Sequence, residues 1–119
     1  MRILNSFKYA LQGLNYAFKT QHNMRIHAFA AVIVISLGVA IDLSLVKWIV
    51  LFICMGTMLF AELINTSIEK LADVVYKDRH SQIKIVKDVA AGAVLLLAIV
   101  NIIIGIFIFL PQLITFFRS

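Results

Sequence analysis

The segment Glu62-Leu-Ile-Asn-Thr-Ser-Ile-Glu-Lys-Leu-Ala-Asp73 follows directly on the apolar run Trp48–Ala61. No proline interrupts the pair, so a single helix carries both. At 3.6 residues per turn, Glu62, Asn65, Glu69 and Asp73 fall at i, i+3, i+7 and i+11, on one helix face. Three acids and an amide thus line up where a membrane helix leaves the bilayer. An ionisable group in a bilayer costs roughly 2.5–3.5 kcal/mol on insertion scales, so it points to function.

Working outward, the composition agrees with a membrane setting. The chain has 119 residues, enough for one domain, and 62% are hydrophobic. Mean hydropathy is +0.99. Soluble domains use about 45–50% apolar residues, so the class is an all-α integral membrane protein. The net charge of +5 sits on residues that flank apolar runs. That arrangement suits an anionic cytoplasmic leaflet, and no nucleic-acid partner is expected. Cys54 is the only cysteine, which excludes an intrachain disulfide and a cysteine-based metal motif.

Residues 1–20 carry Ile3, Phe7, Leu11, Leu14 and Phe18 at helical spacing, with polar residues between them. This reads as an amphipathic surface helix, and it lacks the continuous apolar stretch of a signal peptide. After the polar break Gln21–His27, a first span is expected over 26–46. Asp42 and Ser44 mark a tight turn, and Trp48 sits at the far interface. The second span covers 48–75. Along it Glu62 lies roughly 21 Å from Trp48, and Glu69 about 10 Å further on, nearer water. A polar connection, Lys70–Lys87, leads to a third span over 84–110, with Asn101 as an interhelical hydrogen-bonding group and Pro111 as its expected stop. His22, His27, Tyr16 and Tyr76 read as interfacial residues.

Lys and Arg are distributed unevenly. Arg2, Lys8, Lys19 and Arg25 precede the first span, and Lys70, Lys77, Arg79, Lys84 and Lys87 lie between the second and third. Only Lys47 and Arg118 fall on the other side. The expected topology has the N-terminus and the second connection in the cytoplasm and the C-terminus outside. Acids facing lysines at an aqueous edge suit a metal–polyphosphate ligand. An ion-pair network between helix ends and a cation pathway remain open on the residues alone. The pathway is the weaker of these, because Ile49–Ala61 offers only Cys54 and Thr57 as polar groups.

The pattern Glu62-x-x-Asn-Thr-Ser-Ile-Glu69, with Asp73 and then Lys87-Asp-Val-Ala-Ala-Gly-Ala-Val94, resembles the prokaryotic diacylglycerol kinase family, which includes the undecaprenol kinases of Gram-positive bacteria. The short N-terminal arm and Asn23-Met-Arg-Ile-His27 look more like the undecaprenol kinase branch. The resemblance implies three spans with an N-terminal surface helix, a homotrimer with shared active sites, and transfer of phosphate from ATP, with Mg2+, to a lipid alcohol in the bacterial cell membrane. It implies undecaprenol as the substrate, with diacylglycerol as the alternative. Further off stands a non-enzymatic small transporter. Under the resemblance, Glu62 matches the general base, Asn65 a residue orienting phosphate or base, and Lys87 the lysine that neutralises the transferred phosphoryl group. Glu69 matches a metal ligand. Asp73 and Asp88 fall at the nucleotide, as do Arg2 and Tyr9 on the surface helix and Asp78, Arg79 and His80 in the loop.

One position departs from the family pattern. Gln21 stands where the family has an acidic second metal ligand. An amide carbonyl can still ligate magnesium but brings no charge. Gln21→Glu should therefore lower the magnesium concentration needed for half-maximal activity. An unchanged magnesium titration would remove position 21 from the ligand set.

Overall fold

The structure, a computed structural model, describes residues 2–78 and 80–118. It consists of four helices: α1 (Arg2–Thr20), α2 (His22–Ala40), α3 (Leu45–Val75) and α4 (Ser81–Arg118). The last three are each long and apolar enough to cross a membrane, with mean hydropathy of 1.6, 1.9 and 3.1 over their most apolar windows. The architecture is the expected one, a surface-type amphipathic helix followed by three apolar helices.

Gln21 alone separates α1 from α2. Its backbone is extended (φ −106°, ψ 111°), and its side chain makes no capping hydrogen bond. The Gln21 N–H donates to the Ala17 carbonyl at 2.8 Å, so the elbow is tight. Ala17 and Met24 are buried on either side of it.

The helix of the expected first span starts at His22 and ends at Ala40, six residues short of position 46. The reason is local. Asp42 adopts φ 57°, a left-handed conformation that ends a helix and that Asp tolerates better than most residues. Ser44 then starts α3, its side chain accepting the Lys47 N–H at 3.4 Å. Helix α3 therefore begins at Leu45, ahead of Trp48.

Across this turn Gly38 faces Trp48. A Cβ on Gly38 would stand 2.7 Å from Trp48 Cη2 and 3.0 Å from Leu43 Cδ1. The missing side chain thus sets how closely α2 and α3 approach. Leu43, Leu51 and Ile108 form a small buried core at this end, with Val34, Trp48 and Phe109 among the residues packed on it. Further along, Asn101 of α4 donates to the Cys54 carbonyl of α3 at 2.9 Å. Such bonds average about 0.6 kcal/mol in a bilayer protein.

Pro111, expected to end the last helix, lies inside it, and α4 runs on to Arg118. Proline removes one N–H donor from the ladder, and helices in apolar surroundings tolerate this when the neighbouring backbone is re-satisfied. The carbonyl left without its usual donor is that of Phe107, four residues back, while Thr115 Oγ1 separately donates to the Pro111 carbonyl at 3.0 Å. Only 6% of the most apolar window of α4 is buried within the chain, so its surface is left for lipid or for other copies.

Trp48 is the only tryptophan. Gly38→Ala should displace its ring, with an overpacking cost of about 1–3 kcal/mol set against about 1 kcal/mol of helix propensity regained. The expected result is a shifted emission maximum and a lower thermal midpoint in detergent. Unaltered emission would show that the ring does not rest on Gly38.

Candidate active site

The polar face of α3 grades from buried to exposed along its length. Glu62 is only 3% exposed. Asn65 and Glu69 are half-buried, and Asp73 is open to solvent. The gradient follows from the helix leaving the packed region between α1, α2 and α4 as it approaches the polar connection.

The deep end carries two unmet acceptors. Glu62 Oε1 and Asn65 Oδ1 are buried and accept no hydrogen bond. His27 of α2 comes closest to the carboxylate, Nε2 to Oε1 3.2 Å, but off the hydrogen-bonding axis. Thr66, also buried, donates its hydroxyl to the Glu62 backbone carbonyl at 2.8 Å and leaves the carboxylate alone. A buried acceptor without a donor costs about 1–3 kcal/mol. Two within one helical turn mark a place that a ligand carrying its own donors can complete.

At the shallow end, α3 and α4 enclose a cleft of about 570 Å³ lined by Asp73, Tyr76, Lys77, Asp78, His80, Ser81, Ile83, Lys84 and Lys87. Its size is that of an ordinary small-molecule site. Lys87 is hydrogen-bonded to Asp73, which ties the start of α4 to the end of α3. Lys84 pairs with Asp88 one turn along α4. His80 shapes the entry to α4: its Nδ1 accepts the Gln82 N–H at 3.2 Å, and its ring packs 4.8 Å from that of Tyr76. The lysines are held by partners that an incoming polyphosphate can replace.

Between α2, α3 and α4 runs an apolar groove of about 380 Å³. Asn101, Gly105 and Phe109 line it on α4, Cys54 and Met58 on α3, and His27 and Val34 on α2. His27 therefore touches both the groove and the buried carboxylate.

The structure brings Asp73, Asp78, His80 and Lys87 to one cleft and sets Asp88 beside it, while Glu62 and Asn65 stand deeper on the same helix as Glu69. Arg2 and Tyr9 are exposed on α1 and line no part of the cleft. Arg79 lies outside the described residues. Among the described residues no group of three or more His, Cys, Asp or Glu side chains is placed to hold a metal. That donor set still fits magnesium delivered on a nucleotide, which is bound through one or two protein groups, the phosphates and water. Glu69 makes no ion pair among the described residues, and the Gln21 side chain makes no capping hydrogen bond, so both would be open to such an ion.

Two residues read from sequence as interfacial belong to the site region. Tyr76 lines the cleft, and His27 meets Glu62. Tyr76 was traceable as the apolar end of an acid-bearing helix. His27 carried no such signal, because its contact spans thirty-five positions and depends on the α2–α3 register.

An acid face rising out of the bilayer into a lysine-lined cleft defines a membrane protein built for phosphoryl transfer. The chain belongs to the prokaryotic diacylglycerol kinase family, whose model matches residues 8–109. It is a multi-pass membrane kinase. Its relatives include the undecaprenol kinase of Bacillus subtilis, 39% identical over 112 residues, covering 94% of this chain and 91% of the relative. A diacylglycerol kinase of Synechocystis is 42% identical over 114 residues, covering 95% of this chain and 65% of that protein. The diacylglycerol kinase of Haemophilus influenzae is 32% identical over 104 residues, with 87% and 88% covered.

The Asp73–Lys87 pair is largely solvent-exposed and contributes little to stability. Asp73→Asn should leave the thermal midpoint nearly unchanged, whereas Lys87→Met should raise the KM for ATP or depress kcat. Equal loss of folding in both variants would make the pair structural and not a nucleotide contact.

Proposed function

We propose that this protein transfers the γ-phosphoryl group of ATP to undecaprenol, giving undecaprenyl phosphate at the cytoplasmic face of the bacterial membrane. The observation carrying the choice of lipid is the near end-to-end match with the Bacillus subtilis undecaprenol kinase, 94% of one chain against 91% of the other. Diacylglycerol is the second reading, favoured by the names of the two other relatives.

In this reading the apolar groove takes the lipid chain, and the hydroxyl comes to the buried end of the α3 acid face. Glu62 is the general base that removes the hydroxyl proton. Asn65 orients the phosphate or the base. Lys87 leaves Asp73 to neutralise the transferring phosphoryl group, with Lys84, Asp88, Asp78 and His80 around the nucleotide. Glu69 and Gln21 would hold Mg2+, which when bound offsets phosphate charge. Catalysis is then positioning and charge neutralisation, as in other phosphoryl transfers. Arg2 and Tyr9 reach a nucleotide across a subunit boundary in a homotrimer, which accounts for their exposure in the single chain. The N-terminus and the α3–α4 connection are cytoplasmic and the C-terminus is outside.

Purified protein in mixed micelles with γ-labelled ATP and either lipid tests this. Label should enter undecaprenyl phosphate faster than phosphatidic acid, and Glu62→Gln should lower kcat by about 10²–10⁴-fold. The opposite lipid preference would select the diacylglycerol reading. Incorporation into neither lipid would refute both.

A further inference from the structure

A nucleotide that serves this reaction must send its terminal phosphate toward the deep end of α3, where Glu62 stands. Its base is then left at the open end of the cleft, and the groups there decide which base is held. Two ties join the end of α3 to the start of α4. The inner one is polar, Lys87 bound to Asp73. The outer one is aromatic, the rings of Tyr76 and His80, with centroids 4.8 Å apart and planes tilted by 58°. Tyr76 lies nearly one turn beyond Asp73, and His80 lies two turns before Lys87, about 10 Å along the helix direction. The cleft of about 570 Å³ thus has cations inward and rings outward. That separation is comparable with the reach from the base to the outer phosphates of a nucleoside triphosphate.

Each ring is fixed to a helix end. Tyr76 closes α3, and its N–H donates to the Ala72 carbonyl at 3.0 Å. The His80 carbonyl accepts the Lys84 N–H at 2.9 Å, and its Nδ1 accepts the Gln82 N–H at 3.2 Å. Even with His80 against it, Tyr76 is 46% exposed, so part of its ring is bare where it lines the cleft. A tyrosine that served only as an interfacial anchor would have no reason to share a cleft with Lys84 and Lys87.

We propose that Tyr76, braced by His80, is the platform on which the nucleotide base stacks, while Lys84 and Lys87 hold the phosphates. The proposal deepens the reading above and rests on it. Stacking on an aromatic side chain accepts any base, because every base has a π-face. The larger double ring covers more of the platform, so purine triphosphates are preferred to pyrimidine ones. In this arrangement Tyr76 touches the nucleotide and His80 is a positioning residue.

The test is equilibrium binding of ATP, GTP, CTP and inorganic tripolyphosphate, each with Mg2+, to the full chain in detergent. Wild type should bind ATP and GTP more tightly than CTP. Tyr76→Leu should weaken ATP and GTP by about 5- to 30-fold and leave tripolyphosphate unchanged, since only the base loses its partner. Tyr76→Phe should restore ATP binding, because the ring and not the hydroxyl carries the contact. ATP binding unaltered in Tyr76→Leu, an equal loss of tripolyphosphate, or a Tyr76→Phe variant as weak as Tyr76→Leu would each overturn the platform. Should Tyr76→Leu not fold, wild type decides: equal affinity for CTP and ATP overturns it. A chain that shows this binding pattern yet phosphorylates neither lipid refutes the function proposed above and leaves the base platform standing. A chain that binds no nucleotide refutes both.

Discussion

The register between α2 and α3 is set at one end of the bundle and felt at the other. Gly38 lets the Trp48 ring lie against α2, and Asp42 turns the chain through a left-handed residue before Ser44 caps α3. A helix is stiff over this length, so fixing these contacts fixes which residues oppose each other several turns away. The pair that results is His27 and Glu62. A slip of one residue on either helix would swing its side chains by about 100° and leave the carboxylate facing other atoms. The deep acid therefore owes its neighbour to packing at the far end of the hairpin, not to local sequence.

Electrostatics explain why the acids differ in burial although one helix carries them all. Near the middle of the bundle Glu62 is only 3% exposed, with His27 beside its carboxylate and the buried Thr66 one turn on. About three turns on, Asp73 stands in water and pairs with Lys87. A charge that would be costly in the interior is cheap at the edge, where solvent screens it. The same helix thus carries a poorly hydrated carboxylate at one end and a well-hydrated cation-and-acid cluster at the other.

Much of this was legible in the sequence, for stated reasons. The spacing of Glu62, Asn65, Glu69 and Asp73 is a local property of a helix, and the apolar runs announce three spans without any tertiary knowledge. Asn101 read as an interhelical hydrogen bond and makes one. What failed or was silent depended on tertiary contacts or local backbone. The helix of the first span stops at Ala40 because of the Asp42 conformation, and Pro111 is carried through because a helix in apolar surroundings tolerates the loss of one donor. His27 read as an interfacial residue because nothing near it in the chain hints at a partner thirty-five positions on. Arg2 and Tyr9 were placed by family resemblance, and within a single chain they lie on the open side of α1.

The one-residue elbow at Gln21 carries a mechanical consequence. With its N–H already bonded to Ala17, the joint between α1 and α2 has almost no slack. A rod lying among lipid headgroups and a rod standing in the acyl region are thereby coupled through a single pair of backbone torsions. Any rocking of the first must turn the opening turns of the second, where His27 sits. A change in the tilt of the surface rod is therefore passed to the opening turns of α2, where a longer loop would have absorbed it.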